Sequence, residues 1–400
     1  MVAHKDIRPS VRERGWLLAA TIGLLCTVSD DAAGQELKVV ASSATCERCQ
    51  IDVMRVARLG RLDDATGPFG VAWVASDMAG AFYVSPGADQ ASVLLYRAEN
   101  SGALSEVIGR RGRGPGEFGV AGVTVMVSDS LHVFDRTLRR LTVFDQDHKA
   151  ARTVQLADRV DAAIPLSGGR VLIHTISTAP ERAGLPLHLM DPGGRILRSF
   201  GAENALVDPR QRDKLRRIIG PAPEDRVWSI PWNNEYYEVE LWDTSSGTSV
   251  VTLRRDAGWY QHQPVPQFRD EVNSEPIRPN PNPVAVWGDS KGLLWVVMAT
   301  PRDDWRVHAP ARRMSYVIEV IDPSAGILLA SRRYDGALSK IVAGRENTLH
   351  GWTEDEAGMQ YLDILELRLT ERSDVQRNTP KPPSVGARAR AVSQPTRRNR

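Results

Sequence analysis

One phrase recurs along the chain and limits the folds open to it: an alternation of apolar residues that ends in aspartate and a turn. Clear copies are LTVFDQDHK, LHLMDPGG, VELWDTSSG and IEVIDPSAG, at residues 141–149, 187–194, 239–247 and 318–326. Weaker copies, VLLYRAENSG and YLDILELRL, lie at residues 93–102 and 361–369. Aspartate can accept a hydrogen bond from the backbone two residues on, and glycine supplies the positive φ that a tight hairpin needs. The chain therefore contains six similar units built around hairpins.

Each unit also carries a second apolar phrase upstream, such as LHVFD at 131–135 or LLWVVMA at 293–299. Units of roughly 40 to 65 residues, with about four short strands each and no helical periodicity, are typical of β-propeller blades. A pair of β-sandwiches would also contain short strands at regular spacing, but it gives no reason to repeat one phrase six times. We therefore predict an all-β, six-bladed β-propeller with four-stranded antiparallel blades over residues 51–370.

The last unit lacks a fourth strand of its own, because a polar tail follows YLDILELRL directly. The segment IDVMRVARLG, residues 51–60, resembles the fourth strands of other units, such as ALSEVIG at 103–109, and it precedes the first blade. Pairing it with the last blade would fasten both ends of the chain and remove exposed strand edges. We therefore predict that this N-terminal strand closes the ring.

A glycine-rich stretch, IGRRGRGPGEFGV at residues 108–120, contains the pattern GxGxxG between Gly114 and Gly119. In a dinucleotide-binding turn a helix begins at this point, so that its N-terminal amides face the pyrophosphate. The residues that follow here, VAGVTVMV, have the pattern of a strand. The glycines are therefore expected to turn the chain between two blades, and we predict no nucleotide cofactor.

Residues 108–145 as a whole resemble the NHL-type repeat and its six-bladed propeller relatives. In that pattern a glycine-rich connector leads into a strand, a short turn and two further strands that end in aspartate. The positions that match are Asp135, Arg140, Phe144 and Asp145. The family's usual proline after the phenylalanine is missing, since Gly119 follows Phe118. The resemblance implies the propeller fold and says little about function.

The two ends of the chain differ from the repeats. Residues 1–34 have a basic start, an apolar run of thirteen residues and a small-residue exit, which predicts an export signal. That run is shorter than the roughly 20 residues that span a bilayer, so we expect no transmembrane anchor. Residues 371–400 hold eight Arg or Lys and two acidic residues, with little to bury. We expect a disordered basic tail that either contacts an anionic surface or has no partner.

The segment 35–50 contains Cys46 and Cys49 in a CxxC spacing. An exported protein normally pairs its remaining thiols, and the sequence offers no second ligand pair for zinc. We therefore predict a local disulfide. The export signal also makes nucleic acid a poor partner, and we expect a periplasmic or secreted monomer.

The predicted strand order places the loops at two opposite ends of the blades. Turns between the first and second strands, and between the third and fourth, lie at one end and are short, as in SDS, PED and DPGG. Second-to-third loops and blade connectors lie at the other end and include long segments at 175–184, 201–212, 256–283 and 299–314. We call these ends the short-turn face and the long-loop face. Long loops on a rigid scaffold usually carry function, so we expect the binding site on the long-loop face.

Seven of the ten tryptophans fall within blades four and five. Those inside predicted strands are expected in the core: Trp228, Trp242, Trp287 and Trp295. Loop aromatics are candidate ligand contacts, and their polar neighbours are expected to supply hydrogen bonds. The predicted binding residues are Trp232, Asn233, Asn234, Trp259, Tyr260, Arg302, Asp304 and Trp305.

Catalytic residues are not evident from the sequence. His132, His174 and His350 could suggest the metal-binding histidines of propeller lyases, but their strand positions do not all face one point, as metal ligands must. A lactonase-like calcium site needs Glu, Asn and Asp on inner strands, whereas inner strands such as VTVMV are apolar. We therefore predict no catalytic residue, no metal and no cofactor.

The sequence favours an exported, non-catalytic binding or scaffold propeller that recognises a saccharide, peptide or protein on its long-loop face. The alternative is a metal-dependent hydrolase or lyase of the lactonase-like kind, with calcium or zinc at the central channel. Metal analysis of the purified mature protein separates these two interpretations.

Overall fold

The computed structural model describes residues 36–60, 72–77, 79–86, 91–97, 102–201, 215–232, 234–262, 277–308, 313–356 and 359–371. The predicted export signal, residues 372–400 of the predicted tail, and Asn233 lie outside these residues. Within them the chain is built from β-strands, with 3-10 turns at Ser167–Gly169 and Trp305–Val307. No helix in the described part of the chain is long and apolar enough to cross a membrane.

The strands form a six-bladed β-propeller, as predicted. Before the blades lie β1 (Glu36–Val40) and β2 (Cys49–Leu59). Blade 1 contains β3 (Trp73–Ser76), β4 (Ala81–Ser85), β5 (Val93–Arg97) and β6 (Leu104–Ile108), followed by the short β7 (Arg110–Arg111) and β8 (Glu117–Phe118). Blade 2 contains β9 (Ala121–Val127), β10 (Ser130–Asp135), β11 (Arg140–Phe144) and β12 (Ala150–Gln155). Blade 3 contains β13 (Ala162–Pro165), β14 (Val171–His174), β15 (Leu187–Met190) and β16 (Ile196–Phe200).

The second half of the ring has the same plan. Blade 4 contains β17 (Arg217–Ala222), β18 (Arg226–Pro231), β19 (Glu238–Asp243) and β20 (Thr248–Arg255). Blade 5 contains β21 (Asn282–Gly288), β22 (Leu294–Pro301), β23 (Met314–Asp322) and β24 (Ile327–Tyr334). Blade 6 contains β25 (Thr348–Glu354) and β26 (Gln360–Glu371), with β2 outside them. Its innermost segment, residues 338–343, hydrogen-bonds to β25 through backbone pairs such as Val342 N–H to the Thr348 carbonyl (2.8 Å).

The repeated aspartates make the turns that the sequence predicts. The Oδ1 atom of Asp145 accepts hydrogen bonds from the backbone N–H groups of Asp147 (3.0 Å) and Lys149 (2.9 Å). Asp243 accepts in the same way from Ser245 (2.8 Å) and Ser246 (2.9 Å). Each bond satisfies a backbone donor inside a tight turn, so the recurring phrase encodes the third-to-fourth hairpin of a blade.

The ring closes through the N-terminal strand, which confirms the prediction for residues 51–60. Strand β2 pairs antiparallel with β26, from Cys49 opposite Glu371 to Leu59 opposite Leu362. Ile51 and Leu59 are buried in the clusters that join blade 6 to its neighbours. On the inner side, Ala343 of blade 6 bridges Ala75 of blade 1. An N-terminal strand and the last described strand are therefore paired in one blade.

The segment before β2 is more ordered than the sequence indicated. Strand β1 pairs parallel with β20 and makes blade 4 a five-stranded sheet. The Thr45 N–H then donates to the Leu328 carbonyl of blade 5 (2.9 Å), and the predicted disulfide joins Cys46 to Cys49 at the start of β2. The segment thus contacts blades 4 and 5 before β2 closes the ring in blade 6.

The glycine-rich connector between blades 1 and 2 is held by two side chains. Asp135 accepts backbone N–H groups of Gly119 (2.7 Å) and Leu138 (2.8 Å). The Arg140 guanidinium donates to the carbonyls of Arg113 (2.6 Å), Gly114 (3.0 Å) and Glu117. The connector leads into strand β9, as expected. Asp135 and Arg140, two positions of the resemblance, therefore have a structural role.

Apolar side chains fill the space between neighbouring blades. The buried residues form six clusters, one for each pair of adjacent blades. The four strand tryptophans lie in these clusters as predicted, and Trp287 stacks on Trp295 with ring centroids 5.7 Å apart. This packing leaves the mouths of the central channel and the loops as the places where a ligand could be recognised.

Candidate functional site

A cavity of about 1080 Å³ occupies the central channel at its long-loop end. Residues of the innermost strand or segment of all six blades line it, from Trp73 in blade 1 to Lys340 in blade 6. The second-to-third loops of blades 2, 3 and 4 contribute Arg136, Thr178 and Trp232. Inner strands begin at the long-loop face and second strands end there, so the cavity opens on the face where the site was expected.

The described lining is rich in cations. Six basic residues contribute to it: Arg136, Arg139, Arg159, Arg216, Arg217 and Lys340. Its two carboxylates already have partners, because Asp158 accepts from Ser177 Oγ (2.7 Å) and Asp161 lies 2.9 Å from Arg159. Arg217 is also paired, with Glu240 of β19. The field in the cavity therefore favours an anionic or polar ligand over a cation.

One indole in the cavity wall is flanked by two cations. Lys340 Nζ lies 3.9 Å from the ring centroid of Trp73, and Arg136 Cζ lies 5.0 Å from it. Trp73 is only 7% exposed, and its Nε1 has no hydrogen-bond partner among the residues that the structure describes. Burial, together with the Arg136 charge, lowers the pKa of Lys340 from 10.5 to about 8. Burial also lowers the pKa of Arg136.

A second aromatic–cation pair stands at the rim. Arg216 Cζ lies 4.8 Å from the centre of the Trp232 ring, and the Trp232 N–H donates to the Arg216 carbonyl (2.7 Å). Trp232 is half-buried and lines the cavity. Of the predicted binding residues that the structure describes, Trp232 is the one that lies in this lining.

Three other predicted residues pack together within blade 4. The rings of Trp259 and Tyr260 lie 6.0 Å apart, and both contact Tyr237, at 5.6 and 5.5 Å. The Tyr260 hydroxyl donates to the Asn234 carbonyl (2.7 Å), and burial raises the pKa of Tyr260 to about 12. The Asn234 side chain donates to Glu238 (3.1 Å). This cluster anchors the long connector to the blade.

The remaining predicted residues form a separate group in blade 5. Trp305 is 6% exposed and contacts Arg306 and Arg313, whose Cζ atoms lie 5.4 and 5.9 Å from its ring centre. Asp304 accepts from Arg302 Nε (3.2 Å) and hydrogen-bonds the His308 ring, which lowers the pKa of Asp304. Among the described residues no hydrogen bond, ion pair or ring contact joins this group to Trp259. The predicted residues that the structure describes therefore fall into three groups.

The histidines considered as metal ligands lie in different blades. His350 in blade 6 is fully buried, and burial lowers its pKa to about 3. Burial lowers the pKa of His132 in blade 2 to about 4. His174 Nε2 lies 3.1 Å from the Leu215 carbonyl oxygen. In the part of the chain that the structure describes, no three His, Cys, Asp or Glu side chains lie close enough to hold one metal ion.

The sequence analysis did not identify three residues of the cavity wall: Trp73, Arg136 and Lys340. Trp73 begins an inner strand, Arg136 lies in a short loop and Lys340 lies in the innermost segment of blade 6. The one signal available was a lysine within SKIVAG, an otherwise apolar stretch at an inner-strand position. These three residues belong to blades 1, 2 and 6, and they come close together only when the propeller closes, so no single repeat shows that they are neighbours.

The sequence matches no protein-family model, and no curated protein sequence matches it. Solved structures do resemble it. A candidate exported protein of Bacteroides fragilis superposes with a TM-score of 0.52 at 10% identity, over 84% of this chain and 100% of its own. A member of the DUF4221 family from Bacteroides vulgatus gives a TM-score of 0.54 at 8% identity, over 80% of this chain and 99% of its own. At these identities the likeness shows the fold and nothing of the activity.

Proposed function

We propose that this protein is an exported, non-catalytic binding propeller whose ligand enters the central channel from the long-loop face. The observation that carries the proposal is the cavity of about 1080 Å³ at that end, with Trp232 at its rim and cations along its wall. Concave sites that combine an aromatic surface with a few convergent polar groups are the usual form of a ligand site. A saccharide, or a segment of a peptide or protein, would fit a cavity of this size and lining.

The loop residues away from the cavity support its rim in this proposal. The Trp259–Tyr260–Tyr237 cluster fixes the start of the long connector after blade 4. Buried Trp305, with Arg306 and Arg313, fixes the second-to-third loop of blade 5. Rigid loops keep a binding surface in place and reduce the entropy lost on binding. We therefore assign ligand contact to Trp232 and a positioning role to the other loop aromatics.

Three features of the described lining argue against chemistry at this site. The Thr124 hydroxyl hydrogen-bonds Ser85 Oγ (2.5 Å) and the Gly122 carbonyl (3.1 Å), so no base activates it. His174 is buried against the Leu215 carbonyl. The cations repel a divalent metal, which a lactonase-like mechanism would require. A binding role agrees with these features better than catalysis does.

The test is a glycan and peptide array screen followed by two matched substitutions. Trp232→Ala removes the aromatic at the rim. Tyr236→Ala is the control, because Tyr236 lies in the same loop, stacks under Arg254 at 4.4 Å and is not part of the cavity lining. We expect Trp232→Ala to weaken binding by about 1 to 3 kcal/mol and Tyr236→Ala to leave it unchanged. Binding that survives Trp232→Ala, and fails on altering short turns such as Asp191→Ala, would place the site on the other face.

A further inference from the structure

Two of the cations that line the channel, Lys340 and Arg136, lie beside Trp73. Among the described residues, no carboxylate lies within ion-pair distance of Lys340 or Arg136, although the neighbouring cations Arg159 and Arg217 each have one. A partly buried cation without a counter-ion is costly to a fold. Both side chains reach into the cavity lining, where a ligand can meet them.

Two unsatisfied donors belong to the same group of cavity-lining residues. Trp73 Nε1 and Arg136 Nε are buried and have no hydrogen-bond acceptor among the described residues. Buried donors nearly always have an acceptor, so such groups in a cavity suggest that a bound molecule completes them. An indole N–H, a guanidinium N–H and an ammonium group are all donors and none is an acceptor. Together they select for an acceptor that carries negative charge.

We propose that Lys340, Arg136 and the Trp73 indole N–H bind an oxyanion, a carboxylate or phosphate group carried by the ligand of the channel. This inference rests on the proposed function and specifies the chemistry of the same site. Charge-assisted hydrogen bonds to an oxyanion are stronger than neutral ones, and the two cations would gain the counter-ion that they lack. Trp232 at the rim would then contact the remainder of the ligand.

The charges around Lys340 give the site a pH dependence. Lys340 faces Trp73 of β3, Arg136 of the blade 2 loop, Asp161 of the following connector and the buried ring of His350 on β25. Asp161 is paired with Arg159, and the His350 ring is neutral near pH 7 because its pKa is depressed to about 3. Lys340 is thus the group that titrates near pH 8. Oxyanion binding should weaken as the pH rises through this value.

The experiment compares sugars that differ in one group. D-glucuronate and glucose 6-phosphate carry the two oxyanions, D-glucose is the neutral control, and inorganic phosphate tests the free ion. Isothermal titration at constant ionic strength should show saturable binding of the anions and none of glucose. Lys340→Met should weaken it by about tenfold or more, whereas Lys340→Arg, which keeps the charge, should largely retain it. Lys291→Met, at an exposed lysine of the short-turn face, is the matched control.

The pH series uses glucuronate, whose carboxylate stays ionised throughout. The affinity of the unmodified protein should fall by about tenfold between pH 7 and pH 9.5 as Lys340 loses its proton, and that of Lys340→Arg should not. Anion binding that is absent, or that is indifferent to Lys340→Met and to Arg136→Gln, overturns the inference. A ligand from the array screen that instead loses affinity on Trp232→Ala and keeps it on Lys340→Met would rule out the oxyanion site. It would leave the proposed channel-binding function intact.

Discussion

The substitution Lys340→Met should make the protein more stable while removing the proposed oxyanion site. Methionine keeps the apolar stem of lysine and its length but carries no charge. The pKa of Lys340 is lowered from 10.5 to about 8. Each unit of this pKa shift corresponds to about 1.4 kcal/mol, so keeping Lys340 charged lowers the stability of the folded protein by up to about 3 kcal/mol. The contact with the Trp73 ring offsets about 1 kcal/mol of this. We therefore expect a gain of about 2 kcal/mol at pH 7.

The pH dependence has a definite sign. The pKa of Lys340 is lower in the folded protein than in the unfolded chain, so between pH 8 and 10.5 the unfolded chain binds more protons. The destabilisation is therefore complete below about pH 8 and disappears as the pH rises toward 10.5. The advantage of Lys340→Met should shrink to below about 1 kcal/mol at pH 10.

Urea denaturation at pH 7 and pH 10 measures both values without the screening that a guanidinium salt would add. Lys291→Met again serves as the control and should show no comparable gain at either pH. A Lys340→Met protein that is less stable than the unmodified protein at pH 7, or whose advantage is the same at both pH values, would show that the lysine is not a desolvated, unpaired charge.

Three further predictions concern the scaffold and the channel. Deleting residues 36–59 removes β1 and β2. It should lower the melting temperature of the whole propeller, because the pairing of β2 with β26 closes the ring. A melting temperature within a degree or two of that of the intact protein would contradict this role of β2. Gly220→Ala should destabilise the protein by several kcal/mol, since the new Cβ would lie 1.4 Å from the Val286 carbonyl oxygen. Gly258→Ala is the control, because a Cβ at that position has no heavy atom within 4 Å. It should cost about 1 kcal/mol or less in urea denaturation. Metal analysis of the purified protein should find no stoichiometric calcium or zinc, and a stoichiometric ion would favour the hydrolase or lyase interpretation.

The fold was predictable from the sequence because its signals are local and repeat six times. Aspartates such as Asp145 and Asp243 make hydrogen bonds within a few residues of themselves, so each turn is encoded where it occurs. Closure by residues 51–60 was predictable from the number of strands, since one strand belonged to no unit and the last blade lacked a strand. Strand β1 was not predicted, because its parallel partner β20 lies about two hundred residues away and no local pattern records that pairing.

The site was only partly predictable, because its residues meet through the ring. The face and Trp232 follow from loop length and composition. Trp305 also lies in a long loop, yet a 3-10 turn at Trp305–Val307 buries it, and loop aromatics that pack inward have the same sequence pattern as those that face a ligand. Lys340 and Trp73 come from opposite ends of the chain and meet only where blade 6 joins blade 1.

The most direct test of oxyanion binding in the channel is a crystal structure after a selenate soak, because anomalous scattering locates the selenium atom. We expect an anomalous peak within about 3 Å of Lys340 Nζ, Arg136 Nε and Trp73 Nε1. The same soak of Lys340→Met crystals should lose this peak while any surface peaks remain. Selenate that binds only at the protein surface, or a channel peak that persists in Lys340→Met, would show that Lys340 does not hold an oxyanion in the channel.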